Sequence, residues 1–280
     1  MVKLVTVATH SESYFPWLIK SCERYNVPLV VLGWGEKWQG FTWRFTLMIE
    51  YLKTLDSNEL VCFIDAYDVI LLRPLDEIEK YYNTITKLTN KKIILGEDTI
   101  QTMIQNIAIK SQYGTCKNTS INAGTYLGKA SDILELLLPI KNTSNHSDDD
   151  QVILTRECNK YPEMFYIDTD KIFFLTIPNN FNEITEYKNI KIIDMQLFYM
   201  NTRPFFFHGP GFTSMIKLIK QLNYSITDEQ IDNINNKANE SFAKRNISNI
   251  KLFLINNYII IIFCLFCIYY FFIRNNNSNK

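Results

Sequence analysis

Two aspartates three residues apart close an unbroken apolar run, Leu60-Val-Cys-Phe-Ile64 being followed by Asp65-Ala-Tyr-Asp68-Val-Ile. Hard carboxylate oxygens at the mouth of a buried strand suit Mg²⁺ or Mn²⁺, and such an ion would bridge a diphosphate. The spacing alone is common, and a helix cap at Asp65 beside a solvated Asp68 would also explain it. A histidine bears on the choice. Pro204-Phe-Phe-Phe-His208-Gly209-Pro210-Gly211 reads as an aromatic strand ending in an imidazole and a glycine turn. A nitrogen ligand from His208 would tilt the metal from Mg²⁺ toward Mn²⁺, although a lone histidine in such a place more often only packs.

Two further stretches carry groups suited to sugar chemistry. Thr119-Ser-Ile-Asn122-Ala-Gly124-Thr-Tyr-Leu-Gly128 combines small residues that let a ligand approach the backbone with an amide that both donates to and accepts from hydroxyls. Its plain reading is a tight turn between strands. Ser147-Asp148-Asp149-Asp150-Gln151 places three acids directly before a helical pattern. The helix macrodipole accounts for one or two. Three in a row predict mutual repulsion and at least one raised pKa, as a catalytic base or a sugar-binding acid would need. His10 and His146 have no such neighbours and are expected on the surface or in loops.

These groups need a frame, and the hydrophobic pattern supplies one. Strands are predicted at Leu4–Ala8, Leu29–Leu32, Leu60–Ile64 and Ile93–Leu95, and helices at Tyr14–Tyr25, Trp43–Leu55 and Leu75–Leu88. Continuous apolar strands alternating with helices imply a parallel sheet covered on both faces. Ligands of such sheets bind beyond the carboxyl ends of strands, where Asp65 lies.

The whole chain sets outer bounds. Its 280 residues are 47% hydrophobic, ample for a core. Lys plus Arg equal Asp plus Glu at 29 each, so no global field recruits nucleic acid, and no nucleic-acid partner is expected. The six cysteines lack framework spacing, so no disulfide scaffold is predicted, and the Cys264/Cys267 pair reads as apolar filler. Leu252–Ile273 carries no formal charge and is long enough to cross a bilayer core of ~30 Å at ~1.5 Å per residue. The predicted organisation is a domain over 1–245, a linker 246–251, a transmembrane helix 252–273 and a polar tail 274–280. The N-terminus reads as a strand rather than a signal peptide. Flanking Lys244, Arg245 and Lys251, against Arg274 and Lys280, faintly favour a cytoplasmic domain on a single-pass C-terminal anchor.

Taken in order, these motifs resemble the glycosyltransferase domain of the procollagen lysyl hydroxylases and, more distantly, the procollagen galactosyltransferases, over roughly residues 3–220. The marks are Val5-Thr-Val-Ala-Thr9, Gly35-Glu-Lys-Trp38-Gln-Gly40, Phe63-Ile-Asp65-Ala-Tyr-Asp68-Val69, Ile121-Asn122-Ala-Gly124, Asp148-Asp-Asp-Gln151 and His208-Gly-Pro-Gly211. The resemblance implies an α/β fold of GT-A type, a Rossmann-like mixed sheet flanked by helices, using a UDP-sugar donor and Mn²⁺, with Mg²⁺ as the alternative. Asp65, Asp68 and His208 match the family's metal ligands, and Thr9 and Trp38 its nucleotide contacts. Asn122, Asp149 and Asp150 match sugar-side or catalytic positions, and Glu97 a pocket glutamate.

The chain also departs from the family pattern. A Gly-rich stretch is shortened to Phe41-Thr-Trp-Arg44, and Pro210 and Ser214 stand where an asparagine and a lysine are usual. Gln101 is nearest to an expected pocket tryptophan. Arg44 or Lys217 is the candidate to replace the lysine, with Gly209 and Gly211 as further cofactor-binding residues. The implied activity is transfer of galactose or glucose from UDP-galactose or UDP-glucose to a hydroxyl of a protein or glycan acceptor, with hydroxylysine or galactosyl-hydroxylysine of a collagen-like chain as the implied acceptor. An inactive, membrane-tethered sugar- or nucleotide-binding scaffold of the same fold is the competing reading, but it would have little need for Asp65, Asp68, His208 and the acidic run together. A nucleotidyltransferase would show a Gly-rich phosphate loop near its first strand, and His10-Ser-Glu-Ser offers none.

Overall fold

Short apolar runs set the strands, and their alternating side chains divide the core in two. In a computed structural model describing residues 2–100, 102–178, 189–211 and 213–240, the chain begins β1 (Lys3–Val7), α1 (Phe15–Arg24), β2 (Leu29–Leu32), α2 (Trp43–Leu52), β3 (Leu60–Ile64), β4 (Val69–Leu71), α3 (Ile78–Thr89) and β5 (Ile93–Glu97). It continues with α4 (Met103–Tyr113), β6 (Ile121–Lys129), α5 (Ala130–Thr143), α6 (Asp150–Lys160), β7 (Phe165–Ile167), β8 (Phe174–Thr176), β9 (Ile190–Ile193), β10 (Gln196–Tyr199), β11 (Phe206–His208) and α7 (Ile216–Gln221). Val5, Val61 and Phe63 face α2, α5 and α6 through Met48, Ile49, Ile133, Leu137 and Leu154. Leu4, Cys62 and Ile64 point the other way, into a cluster with α1, α3 and Phe173, Phe174, Phe205 and Phe206. A strand's period of two makes this division unavoidable.

The main sheet has the order β2-β1-β3-β6-β5-β7. β1 runs parallel to β2 and β3, and β5 parallel to β7, while β6 is antiparallel to both of its neighbours. The sheet is therefore mixed, as the resemblance implied, whereas the apolar runs alone had implied a parallel one. β6 is buried along eight of its nine residues whichever face they point to, so its pattern carries no trace of its direction. Asn122 and Gly124, expected in a turn, lie inside this nine-residue strand.

A smaller sheet, β4-β11-β8, does the positioning. β11 pairs antiparallel with β4 so that His208 lies opposite Val69, the residue after Asp68. The same strand pairs in parallel with β8, setting His208 beside Thr176.

Cys116 and Cys158 form a disulfide across 42 residues of sequence, a single bridge that the cysteine spacing had not indicated. Their Cα atoms are 5.8 Å apart because α6 packs beside the chain leading into β6, a proximity no sequence spacing reveals. Cys22 and Cys62 are buried thiols. The chain divides into two compact units, residues 1–231 and 232–280. In the second, residues 232–240 are helical. The expected linker, transmembrane segment and tail, with Cys264 and Cys267, lie outside the described residues, among which no helix is long and apolar enough to cross a membrane.

Candidate functional site

Asp65 and Asp68 flank the sharp bend between β3 and β4, and His208 ends β11 beside them. One ligand atom from each lies within 4.8 Å of the others. His208 Nε2 is 3.3 Å from Asp68 Oδ1 and 3.8 Å from Asp65 Oδ2. The ring is 1% exposed, yet neither of its nitrogens makes a hydrogen bond, and neither does Asp68 Oδ1. Buried polar atoms without partners are costly and uncommon. A divalent cation would satisfy His208 Nε2 and Asp68 Oδ1 together, and ligands ~2.1 Å from an ion sit at most ~4.2 Å apart, a limit that the 3.3 and 3.8 Å separations meet. Two carboxylates and an imidazole suit Mn²⁺. Burial raises the Asp68 carboxyl above its ordinary range against the pull of His208. Burial depresses the His208 imidazole, but Asp68, Asp65 and Asp98 outweigh it and leave the pKa raised.

Space for this cluster comes from β6. A Cβ at Gly124 would lie 2.6 Å from His208 Cε1 and closer still to Asp65 Oδ2. The Gly124 carbonyl accepts from Asp65 N–H at 2.8 Å, and Asn122 Oδ1 accepts from Gly124 N–H at 2.8 Å. Asn122 is buried with its amide group donating to Asp98 and Gln151. Its polar atoms thus brace the strand, whereas the sequence assigned it to a sugar hydroxyl.

The acidic run separates into three jobs. Asp148 Oδ2 accepts from Asn145 N–H at 2.9 Å, and Asp149 caps α6 by accepting from the N–H groups of Gln151 and Val152 at 3.0 Å each. Only Asp150 turns inward, where its carboxylate meets the Arg44 guanidinium, which also holds Asp65 Oδ1. Mutual repulsion among the acids, expected from their adjacency, is replaced by separate donors for each. Arg44, expected at the nucleotide's phosphates, instead joins the metal cluster to the acidic helix.

Glu97 is paired with Lys171, a buried side chain whose φ of 55° aims it back at the end of β5. The turn before it is fixed by Asp168, which accepts backbone N–H bonds from Ile172, Phe173 and Phe174 at 3.0, 2.8 and 2.8 Å. Burial still pushes the Asp168 carboxyl up to about 6. Asp98 is raised to about 6 for the same reason, despite its bonds from Asn122 and Gln151. Neither Lys171 nor Asp98 was singled out by type and spacing, because their partners lie tens of residues away.

Tyr67, between the two metal-site aspartates, was also missed. Its hydroxyl accepts from Thr9 N–H at 3.0 Å and donates to His10 O at 3.2 Å, tying Thr9 to the Asp65–Asp68 bend. Thr9 O accepts from Gly35 N–H at 2.8 Å, and Thr9 Oγ1 contacts His10 Nδ1 at 2.8 Å. Trp38 is 40% exposed and meets Phe41 and Trp43 edge-on. Its loop is pressed against the segment before α6, for a Cβ at Gly40 would lie 2.6 Å from the His146 carbonyl carbon. Gly209 N–H donates to Asp68 O at 2.8 Å, while Gly211 is exposed with φ of 75°. His10, His146 and Lys217 are exposed, and Gln101 lies outside the described residues.

The PLOD GT domain family profile matches residues 1–233. Among curated relatives, uncharacterized protein R699 of Acanthamoeba polyphaga mimivirus is 25% identical over 235 residues, covering 79% of this chain and 48% of that protein. A multifunctional procollagen lysine hydroxylase and glycosyltransferase of Caenorhabditis elegans is 23% identical over 231 residues, covering 74% of this chain and 30% of that one. The chain thus spans about half or less of these relatives' length. Among solved structures, a glycosyltransferase involved in glycosylation of the major capsid of PBCV-1 aligns at 11% identity and a TM-score of 0.46, covering 79% of this chain and 98% of that one.

Proposed function

We propose that this chain, which belongs to the PLOD GT domain family, is a Mn²⁺-dependent glycosyltransferase of GT-A type that moves galactose or glucose from a UDP-sugar to an acceptor hydroxyl. The observation that carries the reading is the convergence of Asp65, Asp68 and His208, with His208 Nε2 and Asp68 Oδ1 both buried and without a hydrogen bond. A Mn²⁺ held there supplies Lewis-acid neutralisation of the diphosphate leaving group. Asp65 is kept in place by Arg44 and by the Gly124 carbonyl, so the carboxylate is oriented before any donor arrives. Trp38 walls the uracil, with Thr9 held beside the cluster by Tyr67. Asp150 is the acid that orients the acceptor hydroxyl, because it is the one of the three that turns inward beside Arg44 and Asp65, whereas Asp149 caps α6. Hydroxylysine or galactosyl-hydroxylysine of a collagen-like chain is the acceptor class to try first, given the relatives' names.

The test is turnover of UDP-glucose and UDP-galactose by the purified full chain, with Mn²⁺ or with a chelator, beside Asp68→Ala. Chelation and the substitution should each lower the rate roughly 100-fold, the size of several kcal/mol of charge stabilisation. A rate indifferent to both sinks the reading. The proposal includes residues 252–273 as a membrane anchor; deleting them should move the protein from the membrane pellet to the supernatant, and a parent already in the supernatant would refute it. The Cys116–Cys158 bond argues for a domain on the oxidising side of that membrane, against the faint charge preference for the cytoplasm.

A further inference from the structure

Asp98 has no part in the chemistry above, yet its carboxylate stands at a junction beneath it. The residue is 4% exposed. Oδ1 accepts from Asn122 Nδ2 at 3.0 Å and Oδ2 from Gln151 Nε2 at 3.1 Å, while Asn122 Nδ2 also reaches Gln151 Oε1 at 3.4 Å. Three side chains close a ring. From Asn122 the path runs through its Oδ1 to Gly124 N–H, and from the Gly124 carbonyl to Asp65 N–H. From Gln151, the second residue of α6, it runs to the adjacent Asp150, to Arg44 and again to Asp65. Both ends of the ring therefore reach Asp65, one through β6 to its backbone N–H and one through α6 and Arg44 to its carboxylate.

We propose that Asp98 is a positioning residue of the glycosyl-transfer site, its carboxylate fastening the strand that floors the metal cluster to the helix that carries Asp150. This rests on the transferase reading above. A carboxylate is what the position requires. The ring contains three N–H donations, and an asparagine at 98 would add donors while removing one acceptor. Asn122 cannot flip to relieve the conflict, because its oxygen is taken by Gly124 N–H. Turning the Gln151 amide would satisfy the new asparagine but set two NH₂ groups, of Gln151 and Asn122, against each other. Every arrangement leaves one donor facing a donor, so β6 and α6 lose their registration. The nucleotide contacts at Thr9 and Trp38 lie on other elements, and the hydrogen bonds of the ring end at Asp65, Gly124 and Arg44 without including either residue. The defect should therefore fall on alignment of the sugar and acceptor rather than on donor capture.

The experiment is steady-state turnover of UDP-glucose or UDP-galactose by the full chain at saturating Mn²⁺, for the parent, Asp98→Asn and Gln151→Leu, with a thermal melt of each. Asp98→Asn should lower kcat on the order of 10- to 100-fold while the donor KM stays within about 3-fold. Gln151→Leu, which removes one donor and one acceptor from the ring without altering Asp98, should show the same split and decides the matter if Asp98→Asn does not fold. A kcat equal to the parent's in a folded variant overturns the inference. So does a loss that follows the melting temperature, or one carried by KM alone, since those mark a merely structural group. A parent without metal-dependent turnover would overturn the transferase reading itself, and this inference with it.

Discussion

At Gly124 one methyl group would reach the metal cluster directly. The Cβ of an alanine would lie 2.6 Å from His208 Cε1 and nearer still to Asp65 Oδ2. Neither neighbour can retreat cheaply, since Arg44 holds the carboxylate and β11 pairs on both sides of the histidine. Gly124→Ala is expected to weaken Mn²⁺ binding at least about 10-fold, read by manganese electron paramagnetic resonance. Parental affinity would count against an ion at this place. The grouping of Asp65, Asp68 and His208 was legible only from the order of the motifs, since each of the three alone has a plain structural reading as a cap, a solvated acid or a packed ring. Asp98, Lys171 and Tyr67 were not, because each acquires its meaning from a partner 24 to 74 residues distant.

Elements were legible where their periodicity was unambiguous. The strands Leu29–Leu32 and Leu60–Ile64 stand as read, and the helices differ from expectation by a few residues at their ends, where fraying and capping blur the pattern. β6 was misread because its glycines and asparagine look like turn residues, although they stay in strand conformation to leave room for the metal cluster. The turn between β7 and β8 carries a testable electrostatic consequence. Asp168 holds it through three backbone N–H groups, yet burial raises its carboxyl from an ordinary 3.8 to about 6. Because the folded pKa lies above the unfolded one, this group's stabilising contribution is fully present below pH ~3.8 and is lost as pH rises through ~6. Asp168→Asn removes that titration. Its stability deficit relative to the parent, measured by urea unfolding, should shrink by on the order of 1 kcal/mol between pH 5 and pH 7.5. A deficit independent of pH would show that the carboxyl is already ionised at pH 5.

For the domain as a whole, the Cys116–Cys158 bond closes 42 residues that include β6, α5 and most of α6, with Asn122, Gly124 and Asp150 among them. Constraining a loop of that length in the unfolded chain stabilises the fold by about 4 kcal/mol in the chain-entropy treatment. Reduction should therefore lower the urea midpoint of the full chain, and a midpoint unmoved by reductant would show that the bond adds nothing to stability. The sequence by itself determined the α/β class, the first two helices and first three strands, and the residue types of the Asp65–Asp68–His208 cluster, because hydrophobic period and strand-end acids are local properties of the chain. Only the tertiary structure decided the direction of β6, the disulfide, the separate duties of Asp148, Asp149 and Asp150, and the meeting of Arg44 with both Asp65 and Asp150. Each of these depends on which distant segments pack together, and that is fixed by the burial of two whole sheet faces rather than by any short stretch of residues.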